Sequence, residues 1–201
     1  MDFPLESPIF CAVEGMTDET VLRRLLEKTR LSMAQFRRTG GKDRLRHQAP
    51  GYNQDAYRTR WIVLTDLDRE PSACTLRQGW LLQVAPLMCF RVAVRALEAW
   101  LLADQAAVAS YLGVDPTKIP LSPDTLSDPK ETFVALARRS RKPFIRRELV
   151  PTPGSGMKVG PAYSSRLIEF AQSHWRPEVA AASSDSLRRC RLRLRELAQG
   201  G

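Results

Sequence analysis

The run Trp61-Ile62-Val63-Leu64-Thr65 is short, apolar and β-branched, and it stops at Asp66-Leu67-Asp68. An apolar run with no polar alternation reads as a strand covered on both faces, which is how strands of parallel sheets are built. Residues 8–13 repeat the pattern and end at Glu14-Gly15. Residues 31–36 (LSMAQF) and 87–94 (LMCFRVAV, with Arg91 its one charged interruption) supply two further candidate strands. Segments of helical spacing lie between and after them. In 18–29, Val21, Leu22, Leu25 and Leu26 share one face, with Thr17 as the expected cap and Asp18 and Glu19 suited to the positive end of the dipole. Residues 72–83 also look helical. Residues 95–113 read as one helix or as two with a break near Asp104, which would cap the second. This order predicts an α/β fold with a mainly parallel four-stranded sheet flanked by helices.

The remainder is less regular. Residues 37–60 read as a long polar loop with a helical piece around 43–57. A proline-rich segment at 115–130 reads as a linker or extended surface loop. Helices are expected at about 129–140, 162–174 and 184–199, with Leu187, Cys190, Leu194 and Leu197 on one face of the last. The 201 residues suit one compact domain: a core over about 7–113, the linker, and a basic helical C-terminal part over about 130–201. No apolar run approaches the roughly 18 residues needed to span a bilayer. The first residues lack a basic n-region, so a cytoplasmic location without a membrane partner is the expectation. Cys11, Cys74, Cys89 and Cys190 form no C-x-x-C pair, and His47 and His174 are far apart, so neither a disulfide framework nor a zinc site is expected.

Open parallel sheets bind ligands outside the carboxyl ends of their strands. Parallel strands would bring Glu14, Asp66 and Asp68 to one such edge. Three carboxylates repel one another unless a cation lies between them, and hard oxygen donors without imidazole suit Mg²⁺ or Mn²⁺. The plainer reading of each acid is a turn former or helix cap.

Net charge is +9. The stretches 138–147 and 188–195 hold six and five basic residues and no acid. Such stretches are either solvated faces or contacts for a polyanion, nucleic acid above all. Arg138, Arg139, Lys142 and Arg146 are the candidate phosphate contacts in the first. Lys158, in the Gly/Pro loop 151–161, is another candidate contact, or part of a flexible loop. Trp100 reads as core rather than as a stacking platform.

The order PIFCAVEGMTDETVL then WIVLTDLDRE resembles the Toprim fold of topoisomerases, primases and overcoming-lysogeny-defect nucleases. The stretches VEGMTDE, VLTDLD and RVAVRALEAWLLAD, with KVGPAYSSRL and SDSLRRCRLRLREL in the tail, look like the family named domain of unknown function 4276, which has RloB-like relatives. The likeness covers most of the chain and is poorest in the middle loop and the proline-rich segment. It implies a Toprim-like α/β core with a C-terminal helical extension. It also implies Glu14 as general acid/base or metal ligand, and Asp66 and Asp68 as Mg²⁺ or Mn²⁺ ligands. Overcoming-lysogeny-defect nucleases use a further acid after the D-x-D strand, which makes Glu98 a catalytic candidate. A structural pairing of Glu98 with Arg91 or Arg95 is equally open, and both arginines are also candidate phosphate contacts. Arg69 stands where many Toprim proteins have a small residue, as a phosphate contact or a surface arginine. The implied activity is Mg²⁺-dependent cleavage of phosphodiesters in nucleic acid, within a bacterial defence or mobile-element system and with a possible partner ATPase. The alternatives are a non-catalytic nucleic-acid-binding or regulatory subunit, and a haloacid-dehalogenase-like phosphatase with Asp66 as nucleophile and Asp68 as acid. WIVLTDLD fits that phosphatase motif, but Arg69-Glu70 replaces its usual Gly-Thr. The sequence leaves the oligomeric state open.

Overall fold

The computed structural model describes residues 7–199. The chain divides into two compact units, Met1–Val92 with Arg189–Gly201, and Ala93–Arg188. The division falls inside the run 87–94, and the last helix returns to the first unit.

The first unit is α/β. Its order is β1 (Ser7–Val13), α1 (Met16–Leu26), β2 (Leu31–Arg38), α2 (Lys42–Asp55), β3 (Arg60–Asp66), α3 (Ala73–Trp80) and β4 (Met88–Ala93). The four-stranded sheet is all-parallel with strand order β2-β1-β3-β4. β1 and β3 are central, which explains why their sequences show no alternation. Cys11, Ala12, Val13, Ile62 and Val63 are all fully buried. β2 lies at an edge, and its second half is largely exposed. Its polar residues Gln35, Arg37 and Arg38 are the kind that keep an edge from pairing with another chain.

α1 begins two residues earlier than its charge pattern predicts. Gly15 is its N-cap, and the Asp18 carboxylate accepts a hydrogen bond from the Gly15 N–H at 2.8 Å, so Thr17 lies inside the helix and is not its cap. α2 is the helical piece expected around 43–57, within one or two residues at each end. Its inward residues are few: Leu45 and Ala49 are buried, and Tyr52 stacks on Trp61 of β3 with ring centroids 4.5 Å apart. Three contacts at i, i+4 and i+7 suffice once a sheet lies beneath them.

The second unit is helical. It holds α4 (Leu97–Leu102), α5 (Gln105–Leu112), α6 (Pro129–Arg138), α7 (Pro143–Leu149), α8 (Tyr163–Ser173) and α9 (Pro177–Ala180). The proline-rich segment forms two short 3₁₀ turns, at Pro116–Lys118 and Pro123–Thr125. Trp100, Phe133, Phe170 and Trp175 are the large buried side chains of this core. Trp175 Nε1 donates to the Trp100 carbonyl at 3.0 Å, and Trp100 Nε1 to Ser186 Oγ at 2.7 Å. The expected break comes at Asp104, which caps α5 by accepting from the Ala107 N–H at 3.3 Å. Asp104 is fully buried and also accepts from Arg176 through its backbone N–H (3.0 Å), Nε (2.9 Å) and Nη2 (2.7 Å). α7 lies within the basic stretch, with Pro143 at its first turn and Ile145 and Leu149 buried.

α10 (Asp185–Ala198) runs from the second unit into the first. Leu187, Cys190, Leu194 and Leu197 are buried, as their spacing predicts. Burial pushes the Cys11 thiol up to about 12 and the Cys89 thiol up to about 11, and raises Cys190 well above its usual value. These three cysteines are therefore packing residues, not nucleophiles. No helix among the described residues is long and apolar enough to cross a membrane.

Candidate functional site

β1 and β3 pair in parallel through Ile9–Arg60 to Ala12–Val63. That register carries Glu14 alongside the end of β3. There its Oε1 accepts from Thr65 Oγ1 at 2.7 Å and from the Asp66 N–H at 3.4 Å. The catalytic candidates Glu14 and Asp66 are thus neighbours at the carboxyl edge of the sheet, and two hydrogen bonds fix the orientation of Glu14.

Lys42, which the sequence reading did not single out, completes this edge. Its Nζ donates to the Asp66 carbonyl at 2.7 Å and to Asp68 Oδ2 at 2.6 Å, with the Leu67 carbonyl at 3.4 Å. The turn that delivers Lys42 is pinned behind Glu14. The Gly40 N–H donates to the Glu14 carbonyl at 3.0 Å, and the Thr39 N–H to the Val13 carbonyl at 3.0 Å. Gly40 and Gly41 have φ of 76° and 140°, conformations that a side chain would strain. Asp68 also has positive φ, 54°, in the region that Asp tolerates better than most residues. The only local signal for Lys42 is Gly-Gly-Lys opening a helical stretch, and its partners lie 24 to 26 residues away.

Whether these residues suit the expected divalent ion depends on donor type and on arrangement. The donors are hard oxygens of the right type. Their arrangement does not suit it: among the described residues, no group of three or more His, Cys, Asp or Glu is placed to hold a metal ion. Asp68 is turned onto Lys42 instead. As arranged, Glu14, Asp66 and Asp68 do not form the three-carboxylate cage that their order along the chain leads one to expect.

In the second unit, Glu98 lies in the first turn of α4 and is 6% exposed. Tyr163 Oη donates to its Oε1 at 3.1 Å, and Lys130 Nζ is 3.7 Å away. Burial, and then the Glu98 charge, push the Tyr163 phenol far above its usual value, so Tyr163 acts as a donor throughout the physiological range. Tyr163 and Lys130 were not singled out from sequence, which offers no local cue to partners 65 and 32 positions away from Glu98.

The basic candidates divide by role. Arg138 and Lys158 line a cleft of about 330 Å³ together with Lys130, Asp128 and Glu131. Arg139 and Arg69 are exposed. Lys142 and Arg146 do internal work: Lys142 Nζ donates to the carbonyls of Ser110 (2.8 Å) and Tyr111 (3.0 Å) in the last turn of α5, and Arg146 donates to the Ser140 carbonyl. Arg91 is half-buried on β4, and its Nε is buried without a hydrogen-bond partner. Arg95 is half-buried. Gly160 in the Lys158 loop is required by close approach: a Cβ there would lie 2.4 Å from the Glu148 carbonyl oxygen.

No protein-family model matches the chain, and no curated protein or solved structure shows significant similarity to it.

Proposed function

We propose that this chain cleaves phosphodiester bonds of nucleic acid at the carboxyl edge of its parallel sheet. The observation that carries this reading is one connected network there: Thr65 and the Asp66 N–H hold Glu14, and Lys42 ties the Asp66 carbonyl to the Asp68 carboxylate. Acids at the ends of β1 and β3 of a parallel sheet are also what a Toprim-like reading of the chain expects. In this reaction Glu14, oriented by its two donors, takes the proton of the attacking water, a task worth about 10² to 10⁴ in rate. Net charge of +9 and the exposed Arg138, Arg139 and Lys158 supply sequence-independent, salt-sensitive attraction to the phosphate backbone.

A second reading has its own observation. Asp68 is already neutralised by Lys42, which suits a non-catalytic nucleic-acid-binding subunit that keeps the fold and has lost the reaction. Labelled DNA and RNA oligonucleotides, incubated with wild type and Glu14→Ala, separate the two. The enzyme reading expects cleavage by wild type, none by the variant, and equal salt-dependent binding by both. Binding without cleavage by wild type, under every buffer and cation tried, favours the subunit. Cleavage retained by Glu14→Ala removes this edge as the working site.

A further inference from the structure

We infer that Lys42 is the resident cation of the acidic edge, its own ammonium filling the place that a D-x-D strand end offers to a divalent ion. The inference rests on reading this edge as the working site. The Lys42 Nζ faces oxygens from three consecutive residues: the Asp66 carbonyl (2.7 Å), the Leu67 carbonyl (3.4 Å) and the Asp68 carboxylate (2.6 Å). An ammonium has three donors and no acceptor, so this set of oxygens suits it. Hard carbonyl and carboxylate oxygens are also what Mg²⁺ and Ca²⁺ take, so ammonium and metal compete for one position.

The backbone is shaped to deliver that charge. Gly40 and Gly41 adopt consecutive positive-φ conformations, and the turn is fastened to the Glu14 carbonyl. The placement of Lys42 is thereby tied to the same residue whose carboxylate reaches Thr65 and Asp66. Asp68 meets Lys42 from a left-handed conformation of its own. Fold stability does not explain this construction, because the Asp68 side chain is 53% exposed and an ion pair so placed contributes little. Charge does explain it. The Asp68 carboxylate and the Asp66 and Leu67 carbonyl oxygens all meet at one point, and a fixed ammonium there answers their negative potential without recruiting an ion from solution. A divalent ion approaching that position must displace a like charge, so the wild-type chain binds it weakly. A phosphate can then approach the edge with the compensating charge already in place.

The test uses the full chain with Mn²⁺ or Mg²⁺ alone as probe and EDTA as the blank. Thermal midpoints are recorded for wild type, Lys42→Met and the double variant Lys42→Met/Asp68→Asn. Wild type is expected to move by less than about 1 °C on adding millimolar ion. Lys42→Met is expected to gain about 5–10 °C when the ion stands near 100 times its Kd, and the double variant to lose that gain. Two results overturn the inference. One is a wild-type shift as large as that of Lys42→Met, which would mean that Lys42 does not hold the position. The other is a folded Lys42→Met chain that gains nothing, which would mean that the Asp66–Asp68 oxygens are no cation position. If Lys42→Met does not fold, Lys42→Gln takes its place under the same two criteria. No cleavage is measured here, so a chain that never cleaves nucleic acid still passes or fails on the ion response alone.

Discussion

Asp68 and Asp104 each pair with a basic side chain, one in each unit, and they show what burial does to such a pair. Asp104 is 0% exposed, and both its oxygens are taken up by donors from Arg176 and the Ala107 N–H. It fixes the start of α5 to the chain entering α9, so it is a structural joint. Asp68 is 53% exposed on a turn of positive φ and shares Lys42 with two carbonyls. Water competes for the Lys42–Asp68 contact, so that ion pair adjusts at little cost to the fold. The two pairs differ in where the carboxylate sits: the dry one is held rigidly, the wet one stays adjustable.

The contrast breaks if the two aspartates behave alike. Asp104→Ala leaves the backbone N–H groups of Ala107 and Arg176 without their acceptor, while the half-exposed Arg176 guanidinium turns to water. About 2–4 kcal/mol of stability should be lost, read from urea or thermal unfolding. Next in size is an alkaline effect from the dry core of the first unit. The Cys89 thiol is raised from 9.0 to about 11 and Cys11 from 9.0 to about 12, each chiefly by burial. Above pH 9 the unfolded chain binds fewer protons than the folded one, so stability is full below pH 9 and falls as pH rises toward 11 and 12. A shift of two units corresponds to about 3 kcal/mol for Cys89. Cys89→Ala should flatten the slope of stability against pH between 9 and 11, whatever its offset at neutral pH. The smallest effect belongs to the wet pair: Asp68→Asn, which suits the left-handed backbone, should change stability by no more than about 1 kcal/mol. A loss from Asp68→Asn as large as that from Asp104→Ala would make the edge a structural joint too.

What could be read from the sequence follows the same division. β1, β3 and β4 were legible because strands covered on both faces must be apolar throughout. The break at Asp104 was legible because a cap is a local feature, whereas its Arg176 partner, 72 positions away, was not. α2 was legible as a helical piece, although its inward face amounts to Leu45, Ala49 and Tyr52, and its hold on the sheet through Trp61 was not. α7 was hidden by its charge, although Ile145 and Leu149 already sit at i and i+4. The division into two units leaves no mark, because it cuts through an apolar run at Val92. At the candidate site, strand order was enough to bring Glu14 beside Asp66. Lys42 reaches that edge through a two-glycine turn and across 24 residues, a tertiary fact with no periodic signature.

The most direct measurement is cleavage of a labelled oligonucleotide by Glu14→Gln, made on protein whose unfolding midpoint has first been compared with wild type. Gln keeps an acceptor for Thr65 Oγ1 and the Asp66 N–H, so the midpoint should stay within about 3 °C of wild type. Cleavage should fall by at least about 100-fold, because the amide cannot take a proton from water. Undiminished cleavage by a folded Glu14→Gln chain would contradict the account and send the search for the working site to another part of the molecule.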